Sequence, residues 1–306
     1  MNILFAGSPK SSSRILEFLA GEPSINIKGV LTQPDRRRKR GNELYESDVA
    51  KIANKNNLRV FKPITLDDSD FKNEISALEI DLFVVIAYGK LIPKWLLELP
   101  KFISLNVHFS ILPKYRGASP IQSSILSGDK ETGISFMHMN EELDEGGLIL
   151  IKKIKIKLDD NKVTVEDKLT SLTTDNILDI LFSLKQNTAS ISNQDNSKAT
   201  YCKKILKEDS LTDFKDSAVN IINKYRAYIE WPVLSFIFKE VMIKVHEISI
   251  TDEKCNGVPG TINRISQSGI YVNTMDKVIV ITYLQFPNKN KISSLDVYNS
   301  YQAFFK

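Results

Sequence analysis

Asn106 and His108 stand two apart in the stretch SLNVHFSILPKYRGASPIQ, residues 104–122. On a strand, side chains two apart share a face, so the amide and the imidazole point one way while Leu105 and Val107 point the other. Asp144 offers a third group, in MNEELDEGGLIL, where Gly146 and Gly147 permit an unusual backbone path back toward the strand end. An Asn amide can donate to a developing oxyanion, a His can carry a proton near neutral pH, and an Asp can hold the imidazole or take the proton in turn. Together they suit acyl transfer to an amine. A nucleophilic triad has less support, because Ser104 and Ser110 lie outside any nucleophile elbow and neither Cys202 nor Cys255 has an evident partner. The two cysteines stand far apart, with no CxxC and no nearby His pair, so neither a disulfide framework nor a metal site is expected.

The elements that would carry these groups follow from periodicity. NILFA, INIKGVL, LRVF, DLFVVIAYG, SLNVHFS, TGISFMHM and LILIKKIKI read as strands, and SSRILEFLAG, DVAKIANKNN and PIQSSILSG between them have helical spacing. That alternation predicts an α/β fold, a doubly wound, largely parallel Rossmann-like sheet. DLFVVIA is apolar on both faces, as a central strand covered by helices must be. Ligands of such sheets bind at the C-terminal strand ends, where Asn106 and His108 emerge. Gly7 stands alone in FAGSPKS, so the GxGxxG fingerprint is missing and a dinucleotide is not expected.

A long amphipathic helix from 164 closes a first domain over residues 1–185. Residues 186–205, polar and rich in Asn and Ser, have the composition of a linker. Short β-rich runs then fill residues 206–306, and they suggest a small β-barrel of the oligonucleotide-binding (OB-like) kind. In that region Trp231 and Phe236, near Arg226 and Tyr228, read as core rather than as a stacking platform. The chain has 306 residues, 42% hydrophobic and 25% charged, which fits an ordinary two-domain globular protein. Its net charge of +4 sits mostly in the C-terminal third, a weak pointer to nucleic acid. The first residues have no basic stretch before a long apolar one, and no apolar run reaches bilayer length, so a cytoplasmic protein that binds no membrane is expected, acting as a monomer. Five basic side chains, Arg36, Arg37, Arg38, Lys39 and Arg40, follow the turn-favouring TQPD; the like charges repel, and such a run is expected to order where phosphates neutralise it.

NVHFSILPKYRGASPIQ resembles the Asn-x-His and Ser-Leu-Leu-Pro-x-x-Arg-Gly-x-x-Pro signature of folate-dependent formyltransferases, and LDEGG resembles their Leu-Asp-x-Gly loop. FAGSP, TQPDRRRKRG, VVIAYGKLIP, TYCKKILKED, RAYIEWPVLSF and GVPGTI extend the resemblance over nearly the whole chain, toward the branch that acts on methionyl-tRNA. The resemblance implies a formyl-transfer centre of Asn106, His108 and Asp144. It implies a 10-formyltetrahydrofolate pocket bordered by Ser110, Ile111, Leu112 and Pro113, with Ala87, Tyr88 and Gly89 on a neighbouring strand end. It also implies that the 36–40 loop and the C-terminal domain hold initiator methionyl-tRNA, whose free α-amine accepts the formyl group without a metal. A small amine acceptor, such as an amino sugar nucleotide, is the alternative. Phe109 stands where the family usually shows Gly; its ring either alters the pocket or points into the core.

Overall fold

In the computed structural model, residues 1–37 and 44–306 are described. The chain forms two compact units, one of residues 1–120, 131–155 and 166–202, the other of 121–130, 156–165 and 203–306. In chain order the elements up to residue 202 are β1 (Asn2–Gly7), α1 (Lys10–Ala20), β2 (Asn26–Leu31), β3 (Arg36–Arg37), β4 (Leu44–Tyr45), α2 (Asp48–Lys55), β5 (Val60–Phe61) and α3 (Ser69–Ser76). They continue with β6 (Leu82–Ile86), α4 (Lys94–Leu97), β7 (Ile103–His108), β8 (Arg116–Gly117), α5 (Pro120–Leu126), β9 (Glu131–His138), β10 (Leu148–Lys155), α6 (Lys162–Lys185) and β11 (Tyr201–Cys202).

The main sheet of the first unit has the order β10-β9-β7-β6-β1-β2-β5. Its pairings from β5 to β7 are parallel, and β9 and β10 join antiparallel at the far edge. The chain runs from β1 outward through β2 to β5, then returns to lay β6 on the other side of β1. In sheets with such a reversal the usual ligand position is at the C-terminal strand ends beside it. Burial explains the strand sequences. All five residues of β6, LFVVI, are buried, as the apolar run requires of a strand covered on both faces. Helices α2 and α3 start at polar caps: the Ser47 hydroxyl accepts the Ala50 N–H at 3.0 Å, and the Asp68 carboxylate accepts the Phe71 N–H at 2.9 Å. Each such cap stabilises its helix by about 1 kcal/mol.

Phe83 on β6 is fully buried in a cluster with Leu4, Leu31, Phe71, Ile75 and Leu96. Phe83→Ala should therefore lower the unfolding free energy of this unit by about 3–5 kcal/mol, through lost transfer energy plus the cavity left behind. A fall in the urea midpoint at unchanged slope would show it.

The polar stretch 186–205 is not a free linker. Residues up to Cys202 belong to the first unit, where β11 pairs in parallel with β8 and the Arg116 N–H donates to the Thr200 carbonyl. Gln194 and Asn196 in this stretch spend polar groups on protein, which composition alone does not reveal.

The second unit adds α7 (Ala218–Ala227), β12 (Ser235–Phe238), β13 (Val241–Lys254), β14 (Ile262–Ser266), β15 (Gly269–Asn273), β16 (Lys277–Gln285), β17 (Lys291–Ser293), α8 (Ser294–Ser300) and α9 (Gln302–Phe305). Its strands form an antiparallel sheet, β12-β13-β16-β15-β14, with β17 also on β16. Ile243, Val245, Ile279, Ile281 and Val297 make its core with Phe214 and Phe236. The expected barrel is left open in its hydrogen bonding: β12 and β14 are the two ends of the sheet, and a cavity of about 230 Å³ is lined by Phe236, Ile237, Ile262 and Val272. Phe236 and Tyr228 are buried as expected, but Trp231 is 54% exposed and does not belong to the core. Among the described residues, no helix is long and apolar enough to cross a membrane.

Candidate active site

The site grows from the end of β7. Its register sets Asn106 beside Val85 of β6 and Met137 of β9, with His108 beside Ser135. Leu105 and Val107 are buried on the opposite face, and this apolar anchoring fixes the direction of the two polar side chains. Asn106 and His108 are themselves 9% and 6% exposed.

Asp144 reaches them from the loop after β9. Asn106 Nδ2 donates to Asp144 Oδ1 at 3.4 Å, and His108 Nδ1 lies 3.6 Å from Asp144 Oδ2. The Gly117 N–H donates to the same Oδ2 at 2.8 Å. His108 Nε2 lies 2.9 Å from the Tyr115 carbonyl. A carbonyl only accepts, so Nε2 carries a proton. The gap from Nδ1 to the carboxylate is longer than a hydrogen bond, so Nδ1 is the ring nitrogen open to a reacting group. Asp144, distant in sequence, thus converges on Asn106 and His108, which puts an amide donor, an imidazole and a carboxylate on one surface.

This convergence is held by backbone that few residues adopt. Asp144 has φ +53°, a left-handed conformation that costs a non-glycine residue roughly 1 kcal/mol or more. Two glycines make room around it. A Cβ on Gly146 would overlap the His138 carbonyl oxygen, and one on Gly117, at φ +116°, would overlap the Cys202 carbonyl.

Sequence reasoning gave no role to the groups that surround this loop. Arg116 is fully buried and ion-paired to Glu145 through Nη1 at 2.8 Å. Its Nε and Nη2 donate to Gln194 Oε1 at 3.2 and 2.9 Å, Nη2 also to Asn196 Oδ1 at 2.6 Å, and Nη1 to the Tyr201 hydroxyl at 3.3 Å. The Gln194 amide in turn donates to the carbonyls of Asp144 and Gly146, both at 2.8 Å. The one available signal was the basic Arg-Gly turn; nothing in the spacing ties residue 116 to residue 194.

The residues expected at the folate pocket separate into two sets. Ala87, at φ +48°, and Gly89, at φ +82°, are exposed past the end of β6. Between them Tyr88 is buried, and its carbonyl accepts from Gln33 Nε2 at 2.9 Å and Ser8 Oγ at 3.2 Å. Burial pushes the Tyr88 phenol up to about 12, and its hydroxyl has no hydrogen-bond partner among the described residues. Ile111 and Pro113 keep exposed surface, whereas Ser110 and Leu112 are buried braces. Ser135 clamps both: its hydroxyl donates to the Ser110 carbonyl at 2.7 Å and accepts the Leu112 N–H at 3.0 Å. Ser110 Oγ is spent on the Lys114 carbonyl, so neither residue offers a side-chain polar group to a ligand. Phe109 is buried at 8% exposure, which settles its ring in the interior.

Of the basic loop, Arg36 and Arg37 form β3 opposite β4, while Arg38, Lys39 and Arg40 lie outside the described residues. Lys62 ties the two sides of this hairpin together, bonded to Asp35 at 2.9 Å and to Glu46 at 2.8 Å. Among the described residues no cluster of His, Cys, Asp or Glu could hold a metal ion.

The family model described as Formyl transferase matches residues 1–181, and that described as Formyl transferase, C-terminal domain, matches residues 204–302. The chain belongs to the formyl transferase family. This formyl transferase is 37% identical over 300 residues to the methionyl-tRNA formyltransferase of Legionella pneumophila strain Corby, covering 98% of this chain and 95% of the relative. The methionyl-tRNA formyltransferase of strain Paris matches with the same identity and coverage. Among solved structures, a sugar 3N-formyl transferase superposes with a TM-score of 0.67 at 19% identity, covering 95% of this chain and 99% of that one. An N-formyltransferase from Helicobacter canadensis gives 0.66 at 20% identity, covering 91% and 98%. At such identities the solved structures establish the fold alone.

Proposed function

We propose that this formyl transferase moves the formyl group of 10-formyltetrahydrofolate to the free α-amino group of initiator methionyl-tRNA, in the cytoplasm. The observation that carries the reading is the convergence of Asn106, His108 and Asp144 in a chain whose 37%-identical relatives, matched over nearly their full length, bear that name. The rival amino sugar acceptor rests on solved neighbours of only 19–20% identity.

The residues beside the trio fit a folate. Exposed backbone at Ala87 and Gly89 suits the donor and acceptor edge of a flat amide-bearing ring, and Ile111 and Pro113 offer apolar surface. The space above Gly89 is open, with Gln33 Nε2 as its near neighbour. The bound donor supplies an electrophilic formyl carbon.

The roles of the chain's own groups follow from their atoms. One Asn106 N–H faces Asp144, and the other is not engaged among the described residues, so it is the donor for a developing oxyanion. His108 Nδ1, left open by its 3.6 Å separation from Asp144, shares that charge when it too carries a proton and so becomes a donor. Asp144, whose carboxylate faces the ring at 3.6 Å, accepts the proton that the attacking amine gives up, as the new N–C bond forms and the bond from the formyl carbon to the donor nitrogen breaks. That proton returns to the leaving nitrogen. Arg36 to Arg40 and the C-terminal unit would supply sequence-independent phosphate contacts to the tRNA.

The test is formylation with 10-formyltetrahydrofolate and three acceptors: initiator methionyl-tRNA, elongator methionyl-tRNA and a nucleotide-linked amino sugar. Preferential formyl-methionine on the initiator is expected. Product on the sugar alone would replace the acceptor in this reading.

A further inference from the structure

We propose that Gln194, locked in place by Arg116, is a positioning residue that sets the Asp144 carboxylate against His108 and Asn106. The inference rests on the function proposed above and adds a residue to that site. An amide has two N–H donors and an oxygen with two lone pairs, and Gln194 uses all four: its donors on the Asp144 and Gly146 carbonyls, its oxygen on Arg116 Nε and Nη2. The orientation of the amide is fixed by its neighbours. A guanidinium only donates and a carbonyl only accepts, so a flipped amide would meet donors with donors and acceptors with acceptors.

Arg116 is equally committed. Its five N–H groups go to Gln194 twice and once each to Asn196, Glu145 and Tyr201. Glu145, the residue after Asp144, is thereby anchored from its side chain while Gln194 holds the backbone on either side of it. This grip is what keeps Asp144 at its left-handed φ of +53° with Oδ2 on the Gly117 N–H. Without Gln194, the two carbonyls lose their shared donor and the loop can relax away from the strand end, carrying the carboxylate with it.

The test compares wild type with Gln194→Ala and Gln194→Glu by steady-state formylation and by amide hydrogen exchange. Gly117 reports on Asp144 because its N–H is bonded to Oδ2. Ala118 is the internal control, since its N–H donates to the Cys202 carbonyl in the adjoining strand pair. For Gln194→Ala, kcat should fall roughly tenfold to a hundredfold with each KM within about threefold, because a carboxylate displaced by about an ångström costs chemistry more than binding. Gly117 exchange should speed up roughly tenfold while Ala118 stays within about threefold of wild type.

Gln194→Glu keeps an acceptor for Arg116 but turns an oxygen toward the two carbonyls. Its kcat relative to wild type should rise as the pH is lowered, since a protonated Glu regains one donor. A purely structural role would leave that ratio flat across pH. Turnover within about twofold of wild type, a loss confined to KM, or a fall in kcat with Gly117 exchange unchanged would overturn the proposal. If Gln194→Ala does not fold, Gln194→Glu carries both readouts. If wild type transfers no formyl group to methionyl-tRNA, the proposed function fails, and Gly117 exchange, which needs no substrate, still decides the role of Gln194.

Discussion

Asn106→Ala should fold and bind substrates yet turn over a hundredfold or more slowly, a loss of about 2.7 kcal/mol of transition-state stabilisation or more. The side chain is 9% exposed, and its one side-chain hydrogen bond among the described residues is the long 3.4 Å bond to Asp144. Removing it therefore costs the fold little. It costs the reaction the donor aimed at the developing charge, in a site where buried neighbours leave little water to substitute for it. Single-turnover formylation separates this from binding, and near-normal turnover would remove Asn106 from the chemistry. Asp144→Asn keeps the shape but presents a neutral amide to His108, so a comparable loss there would assign the proton to the carboxylate.

The second large effect is expected on stability. Arg116→Ala takes away a fully buried guanidinium and strands the acceptors of Glu145, Gln194 and Asn196. Breaking a buried pair from one side typically costs about 3–5 kcal/mol. The Glu145 side chain is 27% exposed and can recover some hydration, which places the expectation near 3 kcal/mol. Arg116→Lys retains the charge but cannot reach Gln194, Asn196 and Glu145 at once, so it should recover only a minor part of the loss. Denaturant melts of the two variants, run beside wild type, check both statements.

The parts legible in the sequence were those with a short-range signature. The β7 alternation put Asn106 and His108 on one face, the apolar run of β6 marked a central strand, and the LDEGG motif marked the loop that brings Asp144 to them. What stayed hidden depends on partners distant along the chain. Ser110 looks like a polar pocket residue until Ser135 and the Lys114 carbonyl absorb its groups. Gln194 sits in a run whose composition reads as linker, and only a pairing of β11 with β8 gives it Arg116 as a neighbour. Trp231 was misread because flanking apolar residues do not reveal which side of a turn faces water.

The late position of Gln194 also has a temporal consequence. Asp144 and its left-handed backbone are synthesised fifty residues before the amide that holds them. At roughly 5–20 residues per second, the nascent chain spends several seconds with β7, β9 and the catalytic loop made but its clamp still unmade. The reacting groups are therefore assembled only when the segment up to Cys202 has emerged and laid itself along β8. A fragment ending at the close of α6 would carry all three of them, with Asp144 in a loop free to leave the strand end that bears the other two.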